Sequence, residues 1–336
     1  MSRTGRNATL DLLKLIAAYT VVFIHVPFYG FFGTVISALA RFAVPVFFVT
    51  AGYFCYENNT DKIKNKLKKI VYILIFASLL YNAMNVAMDY LNGGIPKVME
   101  GLSVYGELSR WIDLLLFNLP FSATRLWFLL ALIYVYVIQL ILVKRKVNYK
   151  AILVLSLCTL ILNLVLGELL AVFGVELPLH YVRNFLLTGY PFFGFGLLMR
   201  HRKEDMLNFS DAWTLALLVG GTILSLASAW YAPYVTLCLG AVIVTFAAFV
   251  ICLKKGDVGY RPWQVRVFEC SLGIYILHKP VTVVCAKALS LLGLAENPAL
   301  YHTVQPILVC IITTLATLVL NALRNKWSSM RKKIKQ

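Results

Sequence analysis

The sequence predicts an all-α polytopic membrane protein with about ten transmembrane helices and both termini in the cytoplasm. Three observations predict it. The chain of 336 residues is 60% hydrophobic and only 14% charged, with a mean hydropathy of +0.78, which excludes a soluble globular domain. Its apolar runs repeatedly approach the roughly 20 residues needed to cross about 30 Å of hydrocarbon. Its net charge of +17 is confined largely to short loops between those runs. In a soluble protein that charge would suggest a nucleic-acid partner; here it is the positive-inside pattern, and nucleic acid is excluded as a partner.

The spans fall near residues 9–27, 33–56, 70–90, 126–143, 151–173, 184–199, 211–231, 234–252, 267–290 and 304–322. Lys and Arg counts orient them. The segments assigned to the cytoplasm hold twenty-four: Arg3 and Arg6, then the groups Lys62–Lys69, Lys144–Lys150, Arg200–Lys203, Lys254–Arg266 and Arg324–Lys335. The other side holds four, Lys97, Arg110, Arg125 and Arg183, and the remaining four, Lys14, Arg41, Lys279 and Lys287, lie inside spans. Arg3 and Arg6 give a signal-like start, but Lys14 interrupts the apolar run and no small-residue cleavage site follows, so the first span is expected to be retained. The sixth span is short and glycine-rich, which predicts a tilted or irregular helix. Segment 91–125 is the one large outer loop; its apolar piece Trp111 to Leu119 is too short to span and is expected to lie in the interface or dip back.

The seven cysteines, Cys55, Cys158, Cys238, Cys252, Cys270, Cys285 and Cys310, lie in or beside apolar runs and form no CxxC pair. They predict small buried hydrophobes with neither a disulfide framework nor a metal site. There is likewise no HExxH, glycine-rich phosphate loop or GxSxG elbow.

Chemistry concentrates in the first span. An ionisable group at membrane depth costs about 3 kcal/mol even on lenient insertion scales, yet this span holds Asp11, Lys14 and His25. At about 100° per residue, Lys14 and His25 fall within roughly 20° of each other, with Asp11 about 60° from the first and about 40° from the second. All three share one stripe, and Lys14 and His25 are about 16 Å apart along the axis. Such a polar line needs a partner cavity or a substrate. His25 can serve as a general base or a transient acyl acceptor; the competing reading is a histidine hydrogen-bonded to a neighbouring span. Asp11 and Lys14 also suit a simple ion pair at positions i and i+3.

Arg41, in the second span, must face the protein interior or a wet cavity, or else reach the outer headgroups. The segment Pro45-Val46-Phe47-Phe48-Val49-Thr50-Ala51-Gly52-Tyr53-Phe54 suggests a distorted helix lining a cavity, with Tyr53 as a cavity residue. Lys66 and Lys69, one turn apart at the start of the third span, are candidates for binding an anionic cofactor's phosphates, against a background in which such lysines are mostly positive-inside charges. Trp127, in Leu126-Trp127-Phe128 at the outer interface, fits an aromatic belt or a substrate cavity. His278, beside Lys279 and Pro280 near the middle of the ninth span, favours a cavity lining as much as a structural role.

In this order the blocks resemble the acyltransferase-3 family of integral-membrane acyltransferases, including the membrane domain of the serine racemases linked to vancomycin resistance. The likeness is carried by Leu10-Asp11-Leu12-Leu13-Lys14 through His25-Val26, matching a basic residue, ten intervening residues and a histidine. It continues through Val44-Pro45 to Gly52-Tyr53-Phe54 and Ser271-Leu272-Gly273 to His278, with support from Leu126-Trp127-Phe128, Arg183-Asn184-Phe185 and Pro191-Phe192-Phe193. It covers essentially the whole chain, as a single integral-membrane domain over residues 1–336.

The resemblance implies a bacterial cytoplasmic-membrane O-acyltransferase. Such an enzyme takes an acyl group, usually acetyl, from cytoplasmic acetyl-CoA or another acyl-CoA. It passes the group to a hydroxyl of an envelope acceptor: polysaccharide, lipid-linked or small. By position, His25 matches the essential histidine, Lys14 its basic partner, and Lys66 and Lys69 an Arg-x-x-Arg pair. Apart from the resemblance, Arg41 has the donors to steady a developing oxyanion. Ala51 stands where a serine is usual, and lysines replace arginines at Lys14, Lys66 and Lys69, losing the bidentate fork. The racemase likeness also keeps open a carrier for a small polar solute such as serine.

Overall fold

The computed structural model describes residues 7–56, 59–121, 124–256 and 259–334. Arg3, Arg6 and Lys335, counted above among the cytoplasmic charges, lie outside the described residues. The protein is an all-α polytopic membrane protein, with no strand among the described residues. In chain order the principal helices are α1 (Ala8–His25), α2 (Gly30–Leu39), α3 (Ala43–Tyr53), α4 (Thr60–Ser103), α5 (Leu108–Phe117), α6 (Trp127–Lys144) and α7 (Tyr149–Leu164). There follow α8 (Tyr190–His201), α9 (Asp211–Tyr231), α10 (Leu239–Lys255), α11 (Pro262–Phe268), α12 (Ser271–Leu291) and α13 (Pro298–Ile334).

Among the described residues, eight helical stretches are long and apolar enough to cross a membrane, at residues 8–25, 30–53, 60–106, 124–144, 149–172, 211–231, 271–291 and 298–330. The other expected spans, at 184–199 and 234–252, are helical but shorter. The first is a π-turn, Phe185–Gly189, running into the 12 residues of α8. The second is the 17-residue α10, which starts only after Pro233 and the irregular turn beyond it.

The second span breaks where the sequence did not mark it. A 3₁₀ turn at Ala40–Phe42 separates α2 from α3, whereas Pro45 sits in the first turn of α3, where its missing N–H is harmless. α4 is far longer than its apolar core. From Thr60 to Gly93 it extends roughly 50 Å, until Gly94 turns the chain at φ 66°, a conformation that glycine adopts without strain. Between α4 and α6, α5 exposes Leu108, Trp111, Ile112, Leu115 and Leu116, as an interfacial helix does.

The chain divides into two compact units, one joining Met1–Ala43 to Ala248–Gln336 and the other comprising Val44–Ala247. In the first, α1 packs against α2, α11, α12 and α13. Its start is pinned: Asn7 accepts from the Leu10 amide at 2.9 Å and donates to the Cys252 carbonyl at 3.1 Å, a cap whose loss costs about 1 kcal/mol. Thr9 donates to the Gly256 carbonyl alongside.

The second unit packs α4 on α6 and α7 on α8. Glycines let α3 and α8 meet backbone to backbone. A Cβ on Gly52 would lie 1.9 Å from the Phe193 carbonyl oxygen, and one on Gly196 would lie 2.0 Å from that of Val49. Small residues of this kind are how membrane helices approach closely. The Gly52-Tyr53 stretch therefore marks a tight helix contact.

Candidate functional site

His25 is the last residue of α1, and His278 lies within α12. The packing of these helices in the first unit stacks the rings, with centroids 5.3 Å apart and planes 11° from parallel. His278 is 1% exposed, while His25 in front of it is half-buried. The His278 Nδ1 lies 2.6 Å from the Tyr275 carbonyl oxygen. A carbonyl only accepts, so Nδ1 carries the hydrogen, and in the neutral ring Nε2 bears the lone pair. This bond fixes both the tautomer and the plane on which His25 rests. The turn after His25 is held as well: the Val26 amide donates to the Val22 carbonyl at 2.8 Å, and His302 Nδ1 donates to the Pro27 carbonyl at 3.3 Å.

Lower on α1, Lys14 Nζ lies 2.5 Å from Asp11 Oδ1, their side chains being 25% and 7% exposed. This is the i, i+3 ion pair, and it sits on the same helix as His25 about 16 Å away. Between them, Tyr19 and Thr314 share a hydrogen bond of 2.8 Å, tying α1 to α13. Arg41, in the 3₁₀ turn that packs on α1, is 8% exposed.

The remaining candidates belong to the second unit. Tyr53 is buried, with the Arg200 guanidinium 5.4 Å from its ring centroid. Trp127 is buried too, with the Arg183 guanidinium 5.2 Å from its ring and Phe48 packed nearby. A cation over an aromatic face is worth about 1 kcal/mol or more once desolvated, so Trp127 is an anchored core residue and no belt residue. Lys66 donates from Nζ to the Phe54 carbonyl just past α3, in the way lysines close helix ends. Lys69, one turn on, is exposed.

The structure thus brings His25 to His278 and Asp11 to Lys14. It also shows groups that residue-level reading passed over. Arg200, a loop charge by sequence, lies over the Tyr53 ring. Asn118, Asn163 and Asn184 are all buried, and Asn118 bridges the Trp127 carbonyl and the Phe185 amide at 3.3 and 2.8 Å. Their sequence signal is an amide inside or beside an apolar run. No group of three or more His, Cys, Asp or Glu side chains suited to a metal occurs among the described residues.

A family model described as an acyltransferase domain matches residues 7–323. The chain is also similar to a protein of Enterococcus faecalis described as an amino-acid racemase, at 26% identity over 362 residues, covering 96% of this chain and 46% of that protein. The chain therefore spans less than half the length of that relative. No solved structure matches the chain.

Proposed function

The chain belongs to the acyltransferase-3 family, and from that premise we propose that it transfers an acyl group, acetyl in the first instance, from cytoplasmic acyl-CoA to a hydroxyl of a cell-envelope acceptor in the bacterial cytoplasmic membrane. The observation that carries the reading is the stack of His25 on the buried, hydrogen-bonded His278. One imidazole is presented and the other holds it.

In this mechanism His25 takes the acceptor's hydroxyl proton as the oxygen attacks the thioester carbonyl. The carbon–sulfur bond breaks, and the departing thiolate recovers the proton from His25, giving an ester and free CoA thiol. An alternative within the same reading has His25 attack first and carry the acyl group as an acyl-imidazole. Arg41 would steady the developing oxyanion, and the Asp11–Lys14 pair would set the field along α1. Lys69, with the donors Lys66 has left after bonding Phe54, would meet the phosphates of CoA as point charges.

The test is incubation of the protein in nanodiscs with radiolabelled acetyl-CoA. Wild type should release or retain label, and His25→Ala should lose both while folding normally. The E. faecalis relative is named an amino-acid racemase, and a second reading is a carrier for a small polar solute such as serine. If wild type and His25→Ala neither bind nor consume acetyl-CoA, acyl transfer is refuted and serine uptake is the assay that follows.

A further inference from the structure

A cavity of about 390 Å³ opens in the second unit where α6, α7 and α8 meet around the α6–α7 turn. None of the residues assigned above to acyl transfer lines it. Most of its wall is aliphatic, including Leu142, Ile152, Leu153 and Leu197, and its volume lies within the range of about 300–1,000 Å³ common for ligand sites.

One polar group in this wall is unsatisfied. Gln139 is 3% exposed and lines the cavity, and its Oε1 is buried with no hydrogen-bond partner among the described residues. With Oε1 unheld, rotation about the last side-chain torsion presents either amide atom to the cavity. A buried amide left unbonded is costly, and a ligand would complete it. Other polar groups nearby are already engaged: the Tyr56 hydroxyl shares a hydrogen bond with His201 Nδ1, and Arg202 pairs with Asp205 at 3.0 Å.

The turn beside the cavity concentrates positive charge. Lys144, Arg145, Lys146 and Lys150 fall within residues 144–150, and no Asp or Glu lies between Asp113 and Glu168. None of the four forms an ion pair among the described residues. α6 closes in a Schellman turn, the Val147 amide donating to the Leu142 carbonyl at 3.0 Å and the Lys146 amide to that of Val143 at 3.1 Å. The left-handed residue of this turn, at φ 52°, is Lys146, at a position where glycine is the usual and unstrained choice. A positive-inside loop needs lysines in the turn but not at this residue, so the strain points to a use for the ammonium here. α7 then starts at once. Asn148 caps it by accepting from the Ala151 amide at 2.9 Å, and the first-turn amides of Tyr149 and Lys150, which have no partner within the helix, add an end that attracts anions.

These features match the parts of one ligand in order. The charged turn calls for a phosphate. Gln139, five residues before Lys144 and so about 8 Å along α6, calls for a carbonyl, and the aliphatic wall for a hydrocarbon chain. We propose that the cavity binds an anionic glycerophospholipid of the adjoining leaflet, with its phosphate at the α6–α7 turn, an ester carbonyl on the Gln139 amide and one acyl chain along the wall. Basic pockets between membrane helices recognise acidic head groups in this way. A soluble anion would leave Gln139 and the aliphatic wall unused, and a zwitterionic lipid would leave the excess of cations unmatched. The site does not rest on the acyl-transfer reading.

The test is native mass spectrometry of the full chain in detergent, titrated with phosphatidylglycerol or with phosphatidylcholine of the same acyl chains. Wild type should retain phosphatidylglycerol at a concentration lower by about fivefold or more. Lys146→Gly removes one cation and relieves the backbone. It should weaken phosphatidylglycerol about fivefold, leave phosphatidylcholine unchanged and melt no lower than wild type. Gln139→Leu keeps the volume and removes the ester contact, so it should weaken both lipids alike, by about fivefold. Residues with a purely structural role would not give this split between head group and ester. Equal retention of the two lipids by wild type, undiminished retention of phosphatidylglycerol by either variant, or its displacement by glycerol 3-phosphate or acetyl-CoA would overturn the proposal.

Discussion

Replacement of His278 tests whether the paired imidazoles act as a unit. His278→Ala removes the ring stack, worth about 0.5–1.5 kcal/mol, and the hydrogen bond to the Tyr275 carbonyl at 2.6 Å, worth about 1 kcal/mol. The expected loss of stability is about 2 kcal/mol, within what a folded membrane protein tolerates. The effect on turnover should be larger than that loss suggests. His25 loses the surface that sets its ring, and misplacing a reacting group by about 1 Å costs on the order of 100-fold. His278→Phe is the informative partner variant, since it keeps a ring against His25 and discards only the nitrogens. If the His278 hydrogen bond to the Tyr275 carbonyl fixes the plane on which His25 rests, both variants should lose about 100-fold in label transfer from acetyl-CoA, with helicity and thermal midpoint in detergent near wild type for the phenylalanine form. Full turnover by His278→Phe would refute this reasoning and reduce His278 to a packing residue.

Other perturbations test the frame. Asp11→Asn leaves the Lys14 ammonium without its carboxylate at a partly buried position and should destabilise by about 3 kcal/mol, reduced by the exposure Lys14 retains; adding Lys14→Met should restore much of the thermal midpoint. If the single and double variants melt alike, the pair contributes nothing. Gly196→Ala places a Cβ 2.0 Å from the Val49 carbonyl oxygen and must push α3 off α8. A loss of about 1–3 kcal/mol is expected, and an unchanged midpoint in a thermal melt would show that the helices slide apart freely.

Much of the architecture was legible because a span is a local property. Each long apolar run became a helix, and the piece around Trp111 became the amphipathic α5. What was not legible depends on partners. The 3₁₀ turn at Ala40–Phe42 has no proline or glycine to announce it, while Pro45 nearby did not disturb α3. α4 exceeds its apolar core because its lysine-rich start and its outer end both continue the helix until Gly94. His25 stood out through its stripe with Lys14 and Asp11. His278 stood out only as a polar residue at depth, since its place behind His25 follows from the packing of α12 on α1. Trp127 could be located at the outer end of its helix, yet only the fold shows Arg183 over its ring. Asn163 carries only a weak signal, because one amide in an apolar run looks like any other tolerated polar residue.

The two units differ in the kind of polarity they bury, and the difference bears on what each can do. The first holds Asp11, Arg41 and His278 in its interior, together with His25 and Lys14 on α1. These side chains exchange protons or stabilise charge, which is what acyl transfer requires. The buried polar side chains of the second are amides and hydroxyls, among them Asn118, Gln139, Asn163, Asn184 and Thr188, set beside two π-turns. Amides neither take up a proton near neutral pH nor stabilise charge strongly; they fix backbone and recognise hydrogen-bonding ligands. A buried amide is costly in hydrocarbon unless bonded, so such a set is retained for geometry or binding. Most bonds of Asn118 and Asn184 close loops within the unit, which is geometry. Asn163 does the same, its Nδ2 donating to the Val182 and Leu187 carbonyls and to Thr188 Oγ1. Loss of the Asn163 Nδ2 contacts should therefore loosen the fold of the second unit.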